Sequence, residues 1–348
     1  MHQGAKHYPS LSRRDLLRLA GVGLSGFGLA AIVGCGDGDE PRSATSTPLA
    51  TEPPPETTRL TLGKSDACRA PLYLAEDLLP AEGFTDVQYM KGSVPKGEVD
   101  IALKSAAGAA IGVDAGDSLV VLAPLSLACW ELVGSDSVQS VRDLKGKTIA
   151  VDEVGPQSSD YAFVATILTF VGIDLKDVNF VAHTKAEAIQ LLAEGKIDAY
   201  MDPLAVSQEL RPEGTGHVLV NSMMDRPWSQ YSCCSVIVNR AFFETNPVAT
   251  KRVLRAILQA ADICFRDPER AARFLVDKGY TENYDYALAT MKTVPYDVWR
   301  ELDQEDTLRF YSLRLQEAGL IKSTPDEIIA RGTDWHFLDE LRQELKDA

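Results

Sequence analysis

The spacing of apolar residues changes period along this chain, and each change predicts an element. Leu60 and Leu62 alternate with polar neighbours, the two-residue period of a short strand. A polar loop, Gly63–Arg69, follows. Pro71 stands where the first turn of a helix tolerates a proline, and Leu72, Leu74, Ala75 and Leu78 make a helical stripe. Asp86–Met90 predicts a second strand, and Gly97–Lys104 leads into a third. Ser105 is placed to cap a helix opening with Ala106, Ala107, Gly108, Ala109 and Ala110, and Ser118–Leu125 is a further apolar strand. Strands alternating with helices predict parallel sheet built from right-handed crossovers.

The middle of the chain repeats the device. Cys129–Val133 carries the chain onward, Val141–Lys147 is a short helix and turn, and Thr148–Val151 a strand. Gly155–Asp160 is a second polar loop before the helix Tyr161–Val171, with Ser158 or Ser159 as its cap. Asn179–Ala182 is a strand. Thr184 and Glu187 form a capping box for the helix Ala186–Glu194, which Gly195 stops. Ile197–Met201 is the next strand, and Asp202 follows it. In such sheets ligands bind between a strand's carboxyl end and the next helix's amino end, where free N–H groups favour anions. An ordinary connection is the plainer reading of Gly63–Arg69. Its recurrence at Ser105 and at Gly155–Asp160 favours a cleft.

Asp225–Cys234 is the most unusual run, with Trp228, Tyr231, Arg226 and Gln230 before an apolar strand, Ser235–Val238. Asn246 and Pro247 read as the cap and first residue of a long helix. Its inward stripe is Leu254, Ile257, Leu258, Ala261, Cys264 and Phe265. The remainder, Pro268–Lys346, is helical with breaks near Gly279, Pro295, Gly319 and Gly332. Trp299, Tyr311 and Trp335 are read there as core.

Composition narrows the picture. A net charge of −15 over 348 residues argues against nucleic-acid binding. Ser12–Arg18, with Arg13 and Arg14 adjacent, reads as a twin-arginine export signal. Ile32-Val33-Gly34-Cys35 resembles a lipobox, with Cys35 as the acylated new N-terminus. A transmembrane anchor is the alternative, but Leu19–Gly34 is short and glycine-rich for a span of about 20 residues. Residues 1–34 are thus expected to be a cleaved signal. Residues 35–58, rich in proline, serine, threonine and acid, are expected to be an extended, disordered tether.

Five stretches in order resemble the nitrate/sulfonate/taurine-type solute-binding proteins of ABC importers. They are the opening strand and loop with Pro71–Ala75, then Gly97–Ala102, Asp143–Val151, Gly195–Tyr200, and Asn239–Phe243 before Asn246-Pro247. That family also includes the fungal pyrimidine-precursor synthase of thiamine biosynthesis. The resemblance covers roughly Arg59–Phe274. It implies an α/β, type II periplasmic-binding-protein fold: two doubly wound α/β lobes joined by two crossing strands, with ligand held between. The crossings are expected near Ala128–Leu132 and Cys234–Asn239. Residues 59–127 and 240–348 then form the first lobe and 128–239 the second. The implied protein works as a monomer on the outer, periplasmic face of a bacterial cytoplasmic membrane. It passes a small molecule to permease and ATPase subunits, with no cofactor and no covalent chemistry.

By position in that family, Ser65, Asp66, Ala67 and Arg69, then Lys104, Ser105 and Ala106, then Gln157, Ser158, Ser159 and Tyr161 line the cleft. Glu131 and Asp202 are expected beside it. Trp228 and Tyr231 are read as ligand-stacking walls, with packing of the lobe interface as their rival role. Acids at least match bases in this set, and aromatics are present. An organic solute, heterocyclic or zwitterionic, fits better than a bare anion. Cys129 and Cys233 or Cys234 lie on the two crossings, so a disulfide there, Cys129 to Cys233 or to Cys234, is one reading, and small buried hydrophobes the other. No Cys-x-x-Cys or His-x-x-x-His spacing marks a metal site. A synthase-like enzyme and a sensory binding subunit are the competing functions; the export signal opposes the first.

Overall fold

The computed structural model describes residues 52–64, 70–127, 130–203 and 215–346. Two five-stranded sheets form its frame. The first contains β1 (Arg59–Gly63), β2 (Asp86–Met90), β3 (Ile101–Ser105), β4 (Leu119–Leu127) and β10 (Ser232–Asn239), in the order β2-β1-β3-β10-β4. The second contains β5 (Trp130–Gly134), β6 (Thr148–Val151), β7 (Asn179–Ala182), β8 (Ala199–Pro203) and β9 (His217–Asn221), in the order β7-β6-β8-β5-β9. Within each sheet the first three positions are parallel. The fourth is an antiparallel strand that has just arrived from the other lobe: β10 in the first sheet, β5 in the second. Each lobe is therefore completed by the chain returning from its neighbour.

The helices are α1 (Ala70–Leu74), α2 (Ala106–Ala115), α3 (Ser159–Phe170), α4 (Lys185–Ala193), α5 (Arg240–Thr245), α6 (Pro247–Arg266), α7 (Pro268–Asp277), α8 (Tyr284–Thr293), α9 (Gln304–Glu317), α10 (Pro325–Gly332) and α11 (His336–Glu344). Among the described residues no helix is long and apolar enough to cross a membrane. On one face of the first sheet, Leu60, Leu62 and Leu72 pack with Leu254, Ile257 and Trp299. A second core joins the lobes: Ile111 of α2, Phe163 and Ile167 of α3, and Tyr311 and Leu315 of α9 belong to one cluster. Helix α9 packs against both α2 and α3. Burying each such Leu, Ile or Phe side chain favours the fold by about 1.5–3 kcal/mol.

Three expectations meet a different structure. Phe265 is 48% exposed, not core; Cys264 takes the inward position at that turn, and Phe265 lies about 100° further round the helix. The return strand placed near Cys234–Asn239 lies wholly in the first sheet, between β3 and β4. The chain comes back through Ser222–Tyr231 instead, between β9 and β10. Finally, residues 52–58 are not free tether: they lie on the first lobe through hydrogen bonds and ion pairs. The outgoing link, Ala128 and Cys129, falls outside the described residues, as do residues 1–51 with Cys35.

Candidate functional site

Two helix amino ends, one per lobe, meet between the sheets. At α2, Ser105 holds an extended backbone and its Oγ accepts the Gly108 N–H at 3.1 Å, the predicted cap. Gly108 permits this approach: a Cβ there would lie 2.8 Å from Ser105 Oγ and 3.3 Å from Lys104 Cε. At α3 the cap is Ser158, whose Oγ accepts the Tyr161 N–H at 3.3 Å. Ser159 is thereby the first helical residue, and its hydroxyl lies 3.3 Å from that of Ser105. The positive ends of two helices and their uncommitted first-turn N–H groups thus converge on one spot.

The second lobe places a charged cluster next to Ser159, beginning at Asp160. Asp160, 3% exposed, accepts from Lys185 Nζ at 2.5 Å, from the Asp152 N–H at 2.9 Å and from Ser158 Oγ at 3.1 Å. Burial alone would raise the pKa of Asp160. Lys185 outweighs it, and the carboxyl is held below its ordinary range. Asp152, 3.2 Å from Lys185 Nζ, goes the other way, raised chiefly by burial despite the lysine and further by Asp160. The Lys185 ammonium also stands 6.0 Å from the centre of the Trp130 ring. Trp130 is fixed at three points. Its N–H donates to Ser222 Oγ (2.8 Å), its carbonyl accepts from the same hydroxyl (2.7 Å), and its indole N–H donates to Cys233 Sγ (3.1 Å). Glu131, 6% exposed, accepts from Asn221 Nδ2 at 3.0 Å and stands opposite the fully buried Asp202 in the β5–β8 ladder.

The remaining sequence candidates separate into groups. Lys104 and Gln157, from different lobes, line one groove of about 330 Å³ together with residues 92–96. Ala106 is fully buried in the inter-lobe core. Tyr161 packs its ring on Phe180, centroids 4.6 Å apart. Trp228 is 3% exposed and sits 5.8, 5.4 and 5.5 Å from the rings of Phe163, Phe170 and Phe310. Tyr231 stacks on Phe310 at 4.1 Å and 12°. Both aromatics therefore take the packing role, between the second lobe, the return link and α9. Ser65, Asp66, Ala67 and Arg69 lie outside the described residues, and so does Cys129, the expected partner of the buried Cys233. Among the described residues no trio of His, Cys, Asp or Glu could hold a metal ion.

Sequence reasoning passed over Lys185, Asp152, Asn221 and Ser222. Lys185 did carry a signal. A cation at the first position of a helix opposes the helix dipole, and a buried acid nearby, here Asp160, explains it. Asn221 and Ser222 carried none, because their partners, Glu131 and Trp130, are some 90 positions away.

The NMT1/THI5-like family model matches residues 84–271. No curated protein sequence matches the chain. Among solved structures, the alkanesulfonate-binding protein SsuA from Xanthomonas axonopodis pv. citri, bound to MOPS, superposes with a TM-score of 0.65 at 17% identity, covering 80% of this chain and 99% of that one. The periplasmic nitrate-binding protein NrtA from Synechocystis PCC 6803 gives 0.69 at 14% identity, covering 85% and 91%. A sulfonate-binding SsuA from Methylobacillus flagellatus KT gives 0.62 at 21%, covering 82% and 94%. At these identities the likeness is one of fold, and the fold is that of the periplasmic binding proteins, as the two sheets and their exchanged antiparallel strands require.

Proposed function

The chain belongs to the NMT1/THI5-like family, and from that premise we propose that it is an extracytoplasmic solute-binding protein serving an ABC importer. The observation that carries this reading is the 3.3 Å contact between Ser105 and Ser159, which brings one helix amino end from each lobe onto a common point. A solute held there touches both lobes at once, so it stabilises their closed arrangement over an open one. The permease and ATPase subunits then read closure. Catalysis has no part in this scheme. The relatives named above bind sulfonates and nitrate.

The solute of this chain is organic, heterocyclic or zwitterionic. The paired helix ends favour an anionic group. Asp152 and Asp160 exceed the single Lys185 beside them, and Glu131 and Asp202 add acid on the same lobe. A bare anion meets carboxylates here, whereas a molecule with both polarities is served. Upstream, twin-arginine export, acylation of Cys35 and a tether place the monomeric protein on the outer face of the cytoplasmic membrane.

Thermal-shift screening of the mature chain against sulfonates, pyrimidines, flavins, amines and oxyanions tests the reading. A true solute at a hundredfold excess over Kd stabilises by about 2.7 kcal/mol, a rise of roughly 4 °C for a chain of this size. Turnover of a compound that gives no such rise would replace transport by catalysis.

A further inference from the structure

The segment just before β1 is docked, and polar contacts hold it there. Glu56 stands in for the cap of α6: its Oε1 accepts the Val248 N–H at 3.0 Å and its Oε2 that of Ala249 at 2.8 Å. Asn246, the neighbouring residue in sequence, makes no side-chain cap bond and donates to the Phe242 carbonyl at 3.2 Å. Glu52 meets three cations of the same helix: Arg255 at 2.9 Å, Arg252 at 3.4 Å and Lys251 at 3.7 Å. Arg252 also holds the carbonyls of Pro53 at 2.9 Å and Glu82 at 2.8 Å. The acids facing those cations from other elements are Glu82, 2.8 Å from Arg255, Glu344, 3.2 Å from Arg255, and Glu340, 2.7 Å from Lys251. Pro55 lies over Gly83, where a Cβ would come within 3.0 Å of its ring.

All these partners belong to the first lobe, and residues 52–58 are exposed or half-buried throughout. Little apolar area is lost when such a strap lifts, so the lobe need not unfold to release it. Ion pairs and a carboxylate cap are also the contacts that acid and salt weaken most.

We propose that Glu52–Thr58 is a releasable clasp: docked on α6 at neutral pH and low salt, and detached from a still-folded lobe when acid or salt removes its charge pairing. Its consequence rests on reading Cys35 as the lipid anchor; its existence does not. Docked, the link between lipid and lobe comprises residues 36–51; detached, it extends to Thr58, where the carbonyl joins the sheet by accepting from Thr85 at 3.0 Å. The direction with pH follows from the groups involved. Burial would raise the Glu56 pKa, but the N–H groups of Ala249 and Val248 outweigh it and hold the carboxyl below its ordinary value. Docking strength from Glu56 is therefore fully present above the ordinary carboxylate range and is lost as pH falls through the lowered value. Glu82, raised by burial and by the neighbouring Glu52 despite Arg255, acts with the opposite sign, because its protonation relieves repulsion of Glu52; release therefore follows from Glu56 and Glu52 and not from Glu82.

Hydrogen exchange on the whole mature chain tests the clasp. At neutral pH and low salt, the amides of Val248 and Ala249 are protected, and Glu56→Ala speeds their exchange about tenfold while β1 and β3 keep their protection. In the wild type, a pH below the ordinary carboxylate range, about pH 3, or about 1 M sodium chloride, where screening reaches within about 3 Å, reproduces that pattern after correction for intrinsic rates. Cleavage after Glu56 by a glutamate-specific protease accelerates in step. Unprotected amides at Val248 and Ala249 in the wild type at neutral pH and low salt overturn the proposal. So does protection that disappears in acid or salt only together with that of β1 and β3. Should Glu56→Ala fail to fold, the wild-type titration decides alone, and a chain that proves not to be acylated leaves the result standing.

Discussion

Ser105 and Ser159 meet hydroxyl to hydroxyl at 3.3 Å, although 54 positions separate them. They differ in what else they do. Ser105 caps α2, while α3 is capped by Ser158 and not by Ser159. Ser105→Ala therefore removes a cap and an inter-lobe contact together, and costs about 1 kcal/mol of stability. Ser159→Ala removes the contact alone and leaves the melting temperature within about 1 °C. Both weaken solute binding. Calorimetric melting beside titration with the solute found by screening separates the two, and equal melting losses would contradict the assignment of the caps.

Gly108→Ala tests the closeness of the α2 end. Alanine is the better helix former by about 1 kcal/mol, so an open site would be stabilised. Here the added Cβ falls 2.8 Å from Ser105 Oγ. The expected outcome is a lower melting temperature and weaker binding, since the cap must move aside; a higher melting temperature refutes it.

Lys185 is the counter-charge of a buried acid. Lys185→Met leaves Asp160 buried with its main compensation gone, a loss of about 3–5 kcal/mol. Adding Asp160→Asn recovers part of the loss, because the uncompensated charge goes with the carboxylate. Urea unfolding of the single and double variants checks this, and a double variant no more stable than the single one would remove the lysine from that role.

Asp160 also predicts an acid limb. Its folded pKa is lowered, so its contribution is complete above the ordinary carboxylate value and declines as pH falls through the lowered one. Asp152 is raised and acts with the opposite sign: its ionisation disfavours the fold at neutral pH, and protonation relieves that as pH falls through the raised value. Asp152→Asn removes the relief. Stability measured against pH in this variant should fall more on acidification than that of the wild type does.

Trp228→Leu opens a gap among Phe163, Phe170 and Phe310. The expected loss is about 2–4 kcal/mol of stability, with Trp228→Phe recovering most of it. Because the ring packs and does not face the solute, Trp228→Phe keeps the solute Kd within about twofold, a free-energy change under 1 kcal/mol. A larger rise in Kd without loss of stability would restore the stacking role that the loop composition suggested.

Much of the lobe architecture was legible because its signals are local. The alternation at Leu60 and Leu62, the capping box of Thr184 and Glu187, and the caps at Ser105 and Ser158 each involve residues within four positions, and each forms as read. The order of strands and helices follows from them, while the two-lobed fold was implied by the resemblance to a family. The tertiary structure alone decided which distant residues meet. Asn246 takes the N-cap position of α6 as read, yet the side chain that accepts the first-turn N–H groups is Glu56, 192 positions from Val248. Trp228 reads as a ligand wall, yet Phe310 covers it. Lys185 reads as no more than the first residue of α4, yet it neutralises Asp160. Periodicity and capping are properties of a few consecutive residues. A charge pair or a ring contact between segments has no local pattern, and it exists only once the sheets and helices have brought those segments within a few ångströms.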